Sequence, residues 1–160
     1  MKIGIIGKGN VGAALAAGWT KAGHQVKSGG RGEAAAVANF GEVVVLATPW
    51  PAARAALAEA GGAALEGKPL LDCTNPLKED LSGLALGHTT SAGEQVQAWA
   101  PGAKVVKVFN TTGANNMADP TFPAGAATML YCGNDKDAKA VAARLATDLG
   151  FDAVDAGPIA

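Results

Sequence analysis

The sequence predicts a doubly wound α/β domain, a mostly parallel sheet with helices on both faces. Short apolar runs alternate with helix-period segments along all 160 residues. Glycines such as Gly23, the pair Gly61 and Gly62, and Gly150 punctuate the alternation. The run at residues 42–47 (EVVVLA) is continuously apolar after its first residue, as a strand covered on both faces must be.

Each element follows in order. Residues 2–6 read as the first strand. From Val11 the small and apolar positions Val11, Ala14, Leu15, Gly18, Trp19 and Ala22 fall at helical spacing, and Gly23 ends the helix. Residues 25–28 form a short second strand and residues 42–47 a third. A helix starts at Pro51, where the missing N–H costs nothing, and stops at Gly61 and Gly62. Residues 69–73 are a strand, and residues 91–99 a helix with Ser91 and Glu94 in capping-box spacing. Strands at 104–109 and 127–132 follow. Residues 135–149 form a helix whose Ala138, Val141, Ala142, Leu145 and Leu149 share a face, with Gly150 as its stop. Residues 151–155 are the last strand. Without repeats or a linker, residues 1–160 are expected to form a single domain.

Composition narrows the function classes. A hydrophobic content of 49% excludes disorder, and a net charge of −1 argues against a nucleic-acid partner. No apolar run approaches the length of a membrane span, and the N-terminal MKIGIIGKGN is too Gly-rich for a signal peptide. Cys73 and Cys132 lie in apolar stretches, match no metal-ligand spacing and read as buried, inert thiols; no metal and a reduced, cytoplasmic compartment are expected.

The first strand runs into Gly7-Lys8-Gly9-Asn10-Val11-Gly12, a G-x-G-x-x-G opening an amphipathic helix. In that context Gly7 permits a tight turn, Gly9 lets backbone approach a pyrophosphate, and Gly12 lets the helix lie close on the strand. The helix N-terminus then presents free N–H groups to phosphates. This is the dinucleotide-binding, or Rossmann, arrangement. After the second strand the chain reads Val26-Lys27-Ser28-Gly29-Gly30-Arg31-Gly32, with no acid before Glu33. An acid there would hold the ribose 2′-hydroxyl of NAD and repel the 2′-phosphate of NADP. Arg31 instead offers that phosphate a forked, charge-assisted contact, helped by Ser28 or the turn's N–H groups, which predicts NADP(H).

Ligands of an open α/β sheet sit beyond the strands' carboxyl ends. These ends carry Thr48-Pro49-Trp50-Pro51, Thr74-Asn75-Pro76-Leu77 and the segment Asn110 to Ala114 with Thr112 between. Trp50 shields a ring or is a core aromatic; Asn75 binds ligand or caps a short helix; Asn110 binds ligand or turns the backbone. No acid–base pair stands out, so the catalytic residues are left unknown. His24 reads as a surface residue, His88 as a loop residue, and Lys107 either reaches the site or is solvated.

The ordered set GKGNVG, GGR, ATPW, DCTNPL, SAGEQVQAWAPGAKVVKVFNTTGANNM and CGND…DAGP resembles the coenzyme F420 (deazaflavin)-dependent NADP oxidoreductase family along the whole chain to about residue 158. The resemblance implies hydride transfer between NADP(H) and a deazaflavin or flavin-like small-molecule acceptor, in a homodimer. It places the phosphate loop at Gly7 to Gly12 and the 2′-phosphate pair, typically Ser-Arg, at Gly30 and Arg31. It puts the Val-Pro-Trp motif at Thr48, Pro49 and Trp50, the Asn-Pro motif at Asn75 and Pro76, and the nicotinamide segment at Asn110 to Ala114. Against that pattern the crossover from Arg31 to Glu42 is short, so its helix is expected to be truncated. Family members continue past the Gly157-Pro158 pair into helices that complete the acceptor pocket and dimer contact, a segment expected to be missing here. Two other readings stand beside this one: an NADP-binding sensor or scaffold without turnover, and the cofactor half of an imine or hydroxyacid reductase.

Overall fold

The computed structural model describes every residue except Glu79, Leu81 and Ala118. In chain order its elements are β1 (Lys2–Ile6), α1 (Asn10–Lys21), β2 (Gln25–Gly29), α2 (Ala34–Phe40), β3 (Val43–Leu46), α3 (Trp50–Ala60), α4 (Gly62–Leu65) and β4 (Pro69–Asp72). There follow α5 (Ala92–Trp99), β5 (Lys104–Lys107), α6 (Ala114–Met117), β6 (Thr121–Phe122), β7 (Gly125–Ala126), β8 (Thr128–Gly133), α7 (Lys136–Asp148) and β9 (Asp152–Asp155).

A seven-stranded sheet has the order β2-β1-β3-β4-β5-β8-β9. The first five strands are parallel, and the register joins Ile5 to Ser28 on one side and to Val45 on the other. β8 then runs antiparallel to β5, with Val106 opposite Gly133, and β9 is parallel to β8. The change of direction comes from the segment between β5 and β8. It holds the short α6 and a hairpin of β6 with β7 instead of a crossover helix packed on the sheet.

The sheet has a core on each face. On one, Leu15 and Trp19 of α1 meet Ala142 and Leu145 of α7 over Phe109, Met129 and Phe151. Trp19 Nε1 donates to the Leu145 carbonyl at 2.9 Å, and its ring meets Phe109 edge-on at 5.6 Å between centroids. On the other, Val37, Leu57 and Val96 from α2, α3 and α5 cover Leu46 and Leu70. The helix starts obey their local signals. Ser91 and Glu94 form a complete capping box, Asp135 caps α7 by accepting the Ala138 N–H, and Pro51 sits in the first turn of α3. The helix after Arg31 is seven residues long, as the short crossover predicts.

Two side chains away from the ends of β4 and β5 depart from their sequence-based placement. His24 is not a surface residue: its side chain is 7% exposed, its Nε2 is 2.9 Å from Asp148 and its Nδ1 is 3.3 Å from the N-terminal amine. Asp148 lies at the far end of the chain, so no local pattern announces the pair. Cys132 is half-buried, because it shares a strand face with Leu130, which is exposed.

Candidate functional site

The crevice forms where β1 parts company with β2 and β3, at the switch point of the strand order. Gly7 leaves β1 with φ of +128°, and a Cβ there would lie 2.2 Å from the Ala47 carbonyl oxygen. A Cβ on Gly12 would lie 2.3 Å from the Gly7 carbonyl oxygen, so α1 starts pressed against the loop that precedes it. Gly9 is the opposite case: nothing lies within 4 Å of the Cβ it lacks, and the loop presents bare backbone to open space. Gly9 is also the N-cap of α1 and supplies no side-chain cap; the first intrahelical bond is from the Ala13 N–H. The amides before it are left for a ligand.

Three cavities run in series along this edge. The first, about 500 Å³, lies between the Gly7-Lys8-Gly9 loop, Gly30, Arg31 and the first turns of α3. The second, about 270 Å³, shares Gly9, Thr48 and Pro49 with it and adds Asn10, Val11, Trp50, Cys73 and Asn75. The third, about 460 Å³, continues over Trp50 and Asn75 to Leu77 and Lys78. Thr48 Oγ1, which belongs to a wall residue of both the first and second cavities, is buried without a hydrogen-bond partner among the described residues. Trp50 is half-buried against Trp99, with centroids 5.1 Å apart, and its free side lines two cavities.

Charge is concentrated at the first cavity. Lys8 Nζ is 2.7 Å from Glu33 Oε2, and the same oxygen accepts the Gly30 N–H at 2.8 Å. The Lys8 contact first, then the Gly30 amide, hold the Glu33 carboxyl below its usual range. The turn after β2 is therefore free of acid along the chain but not in space, because Glu33 folds back onto it. Ser28 stays within β2, paired with Ile5, outside the cavity walls.

Behind the second cavity lies a polar cluster. Asp72 is fully buried; its Oδ1 accepts the Thr74 N–H and hydroxyl at 2.9 and 2.7 Å, and its Oδ2 is 3.0 Å from Lys107 Nζ. Lys107 also donates to the Thr74 carbonyl. With its side chain only 14% exposed, Lys107 is neither solvated nor in the cavities; it is the buried counter-ion of Asp72. Asn75 Nδ2 donates to the Asn110 carbonyl at 3.1 Å, tying the ends of β4 and β5 together. No helix begins at Asn75, so it is not a cap. Asn110 reaches the cavities only through Asn75. Pro76, Thr112 and Ala114 stand outside their walls, Thr112 accepting from Asn116 Nδ2 and Ala114 packing on the core. His88 is exposed in the loop and lines none of the three cavities. Burial pushes the Cys73 thiol up, with the Asp72 charge adding to the effect, so it stays protonated. Sequence reasoning missed Ala52, Ala56, Cys73 and Lys78 as wall residues. The small residues of α3 next to Pro51 were the one available signal.

Residues 2–39 match the family described as NADP oxidoreductase, coenzyme F420-dependent. A provisionally assigned F420-dependent NADP reductase from Arthrobacter sp. FB24 superimposes with a TM-score of 0.92 at 36% identity, covering 99% of this chain and 86% of that one. The chain belongs to the coenzyme F420-dependent NADP oxidoreductase family. A hypothetical protein from Sinorhizobium meliloti matches with a TM-score of 0.83 at 28% identity, covering 99% of this chain and 85% of that one. The metalloreductase STEAP3 of Rattus norvegicus is 33% identical over 97 residues, which is 60% of this chain and 19% of that protein. This NADP oxidoreductase family member thus matches only about a fifth of its curated relative. Its own atoms fit a dinucleotide: an open approach over Gly9, a helix start without a side-chain cap, an unclaimed Thr48 hydroxyl and two cations, Lys8 and Arg31. No helix among the described residues is long and apolar enough to cross a membrane.

Proposed function

We propose that this chain binds NADP(H) along the three cavities and passes a hydride between it and a deazaflavin or flavin-like acceptor. The observation that carries the reading is the continuity of the trough, from the cations at Lys8 and Arg31, past bare backbone at Gly9, to the aromatic wall of Trp50. In it, Gly7 to Gly12 with the start of α1 hold the pyrophosphate, and Gly30 with Arg31 hold the 2′-phosphate. The Thr48 hydroxyl, the Pro49 wall and the Asn75 amide, fixed by Asn110, orient the nicotinamide end. Pro76, Thr112 and Ala114 support that end without lining it.

The bound dinucleotide supplies the hydride; the chain supplies position. The named side chains on the second cavity are Asn10, Val11, Thr48, Trp50, Cys73 and Asn75, and the Cys73 thiol stays protonated. None of them is poised to exchange a proton near neutral pH, which suits transfer between stacked rings, where alignment is the main requirement. The acceptor would lie over Trp50 in the third cavity, with Lys78 at its edge.

The test is to follow NADPH absorbance with a deazaflavin, with FMN and with ferric chelates. Turnover is expected with a ring acceptor, and Arg31→Ala should weaken NADPH by about tenfold. Tight NADPH binding without turnover on any acceptor would replace this reading with that of a sensor or scaffold module. The absence of an acid–base pair at the second cavity favours that alternative over an imine or hydroxyacid reductase. A second copy of the chain and a cytoplasmic setting belong to the same proposal; light scattering at micromolar concentration tests the dimer.

A further inference from the structure

Glu33 engages two hydrogen-bond donors, Lys8 and the Gly30 amide, that belong to walls of the first cavity. It stands at the N-cap of α2, yet its side chain does not cap that helix. It turns back, and a single oxygen, Oε2, takes both the Lys8 ammonium and the Gly30 N–H. Lys8 comes from the loop after β1 and Gly30 from the loop after β2, so the carboxylate bridges the two loops that frame the adenosine end of the first cavity. Arg31, beside it, is exposed and makes no ion pair among the described residues. Glu59, a carboxylate that does line this cavity, is engaged elsewhere by the Ala34 N–H at 2.8 Å. An ammonium and an amide converging on one anionic oxygen form half of a phosphate site, and here the chain fills that half itself.

We propose that Glu33 is a specificity-determining residue, an internal anion at the 2′ position of the adenosine ribose. Its carboxylate accepts the 2′-hydroxyl of NAD(H) and has to leave Lys8 and the Gly30 amide before a 2′-phosphate can take them. The inference rests on the dinucleotide reading above and adds a consequence to it: the chain accepts NADH as well as NADPH, and the charge on Glu33 narrows the gap between them. Neither Oε2 contact uses Oε1, which leaves an acceptor for the ribose hydroxyl. Because Lys8 and Gly30 hold the carboxyl below its ordinary range, the internal anion is charged at neutral pH.

The experiment titrates the full chain with NADPH, NADH, 2′,5′-ADP and 5′-AMP, comparing wild type with Glu33→Gln and Glu33→Ala. Removing a charge next to a dianion is expected to tighten NADPH and 2′,5′-ADP by about fivefold or more, and to weaken NADH by about threefold. The change in the NADPH to NADH ratio should shrink in 0.5 M salt (roughly, where the screening length is a few ångströms). Thermal midpoints confirm folding, and because two substitutions of different shape share only the loss of charge, a merely structural role would not give the same ratio in both. If wild type binds NADPH and both variants keep its NADPH to NADH ratio, or if both weaken NADPH, Glu33 is not the internal anion while the dinucleotide reading stands. If wild type binds neither dinucleotide, both fail.

Discussion

Replacing Lys107 with Met should cost this protein a large part of its stability, and the reason lies in who is left behind. Asp72 is fully buried, and its Oδ1 already accepts two bonds from Thr74, while Oδ2 relies on Lys107 at 3.0 Å. Lys107→Met fills most of the volume of the lysine stem but leaves a carboxylate without a counter-ion in the interior. Breaking a buried pair from one side costs about 3–5 kcal/mol. The lysine side chain is 14% exposed, so water can partly compensate and the lower half of that range is expected. For a chain of this size that is a drop in melting temperature of roughly 6–16 °C. Asp72→Asn should cost less, because the ammonium left behind is nearer to solvent and keeps the Thr74 carbonyl as acceptor. The double variant Asp72→Asn with Lys107→Met should then be more stable than Lys107→Met alone, giving a coupling of about 2 kcal/mol in a double-mutant cycle. Urea unfolding at pH 7 measures all four species. Lys107→Met lying within about 1 kcal/mol of wild type, or Asp72→Asn being the worse single change, would refute this account of the pair. A functional echo should follow: Thr74 leads into Asn75, so Lys107→Met should raise the KM for NADPH more than it lowers kcat.

Three further outcomes are expected. Gly9→Ala should lower the urea midpoint only slightly, by about the 1 kcal/mol or less that an alanine N-cap costs, since its Cβ meets nothing, yet abolish measurable NADPH binding; Gly12→Ala should lower the midpoint more, because its Cβ would lie 2.3 Å from the rigid Gly7 carbonyl. Unimpaired NADPH binding by Gly9→Ala would show that the loop does not cup the pyrophosphate. In native protein at pH 8 a thiol reagent should modify Cys132 well before Cys73, whose thiol burial drives further up; mass spectrometry of partly labelled protein reads the order. The Ala138 N–H first, then Lys104, hold the Asp135 carboxyl below its usual range. Its stabilisation is thus present above the ordinary carboxylate range and lost as pH falls through the lowered value. The stability gap between wild type and Asp135→Ala should accordingly be open at pH 6 and close in strong acid.

The fold was legible because its signals are local. The strand at β3, apolar at every position, and the helices with caps at Ser91 and Asp135 carry their own start, face and stop within a few residues. The reversal of β8 was not legible. An apolar run of six residues looks the same in either direction, and the sense of β8 depends on the path through α6 and the hairpin of β6 and β7, whose two-residue strands carry no periodicity.

The site divides along the same line. Gly7, Gly9, Gly12, Thr48 and Trp50 stand on one edge because each directly follows a parallel strand or opens the helix after it, so chain order alone brings them together. The contacts that escaped notice run through long, flexible or distant side chains. Glu33 lies four residues past β2, where an acid is too late in the chain to meet the ribose unless the turn doubles back; the Glu33 N–H to Gly30 carbonyl bond makes it do so. Lys107 is taken up by Asp72 and stays out of the cavity walls because the adjacent strand carries that buried aspartate in register with it. A periodic reading assigns a residue to a face of the sheet but is blind to a charge on the neighbouring strand. Both omissions are electrostatic, and both bear on the site: under the proposal above one narrows the gap between a 2′-phosphate and a 2′-hydroxyl at the adenosine end, and the other holds the segment that leads into Asn75.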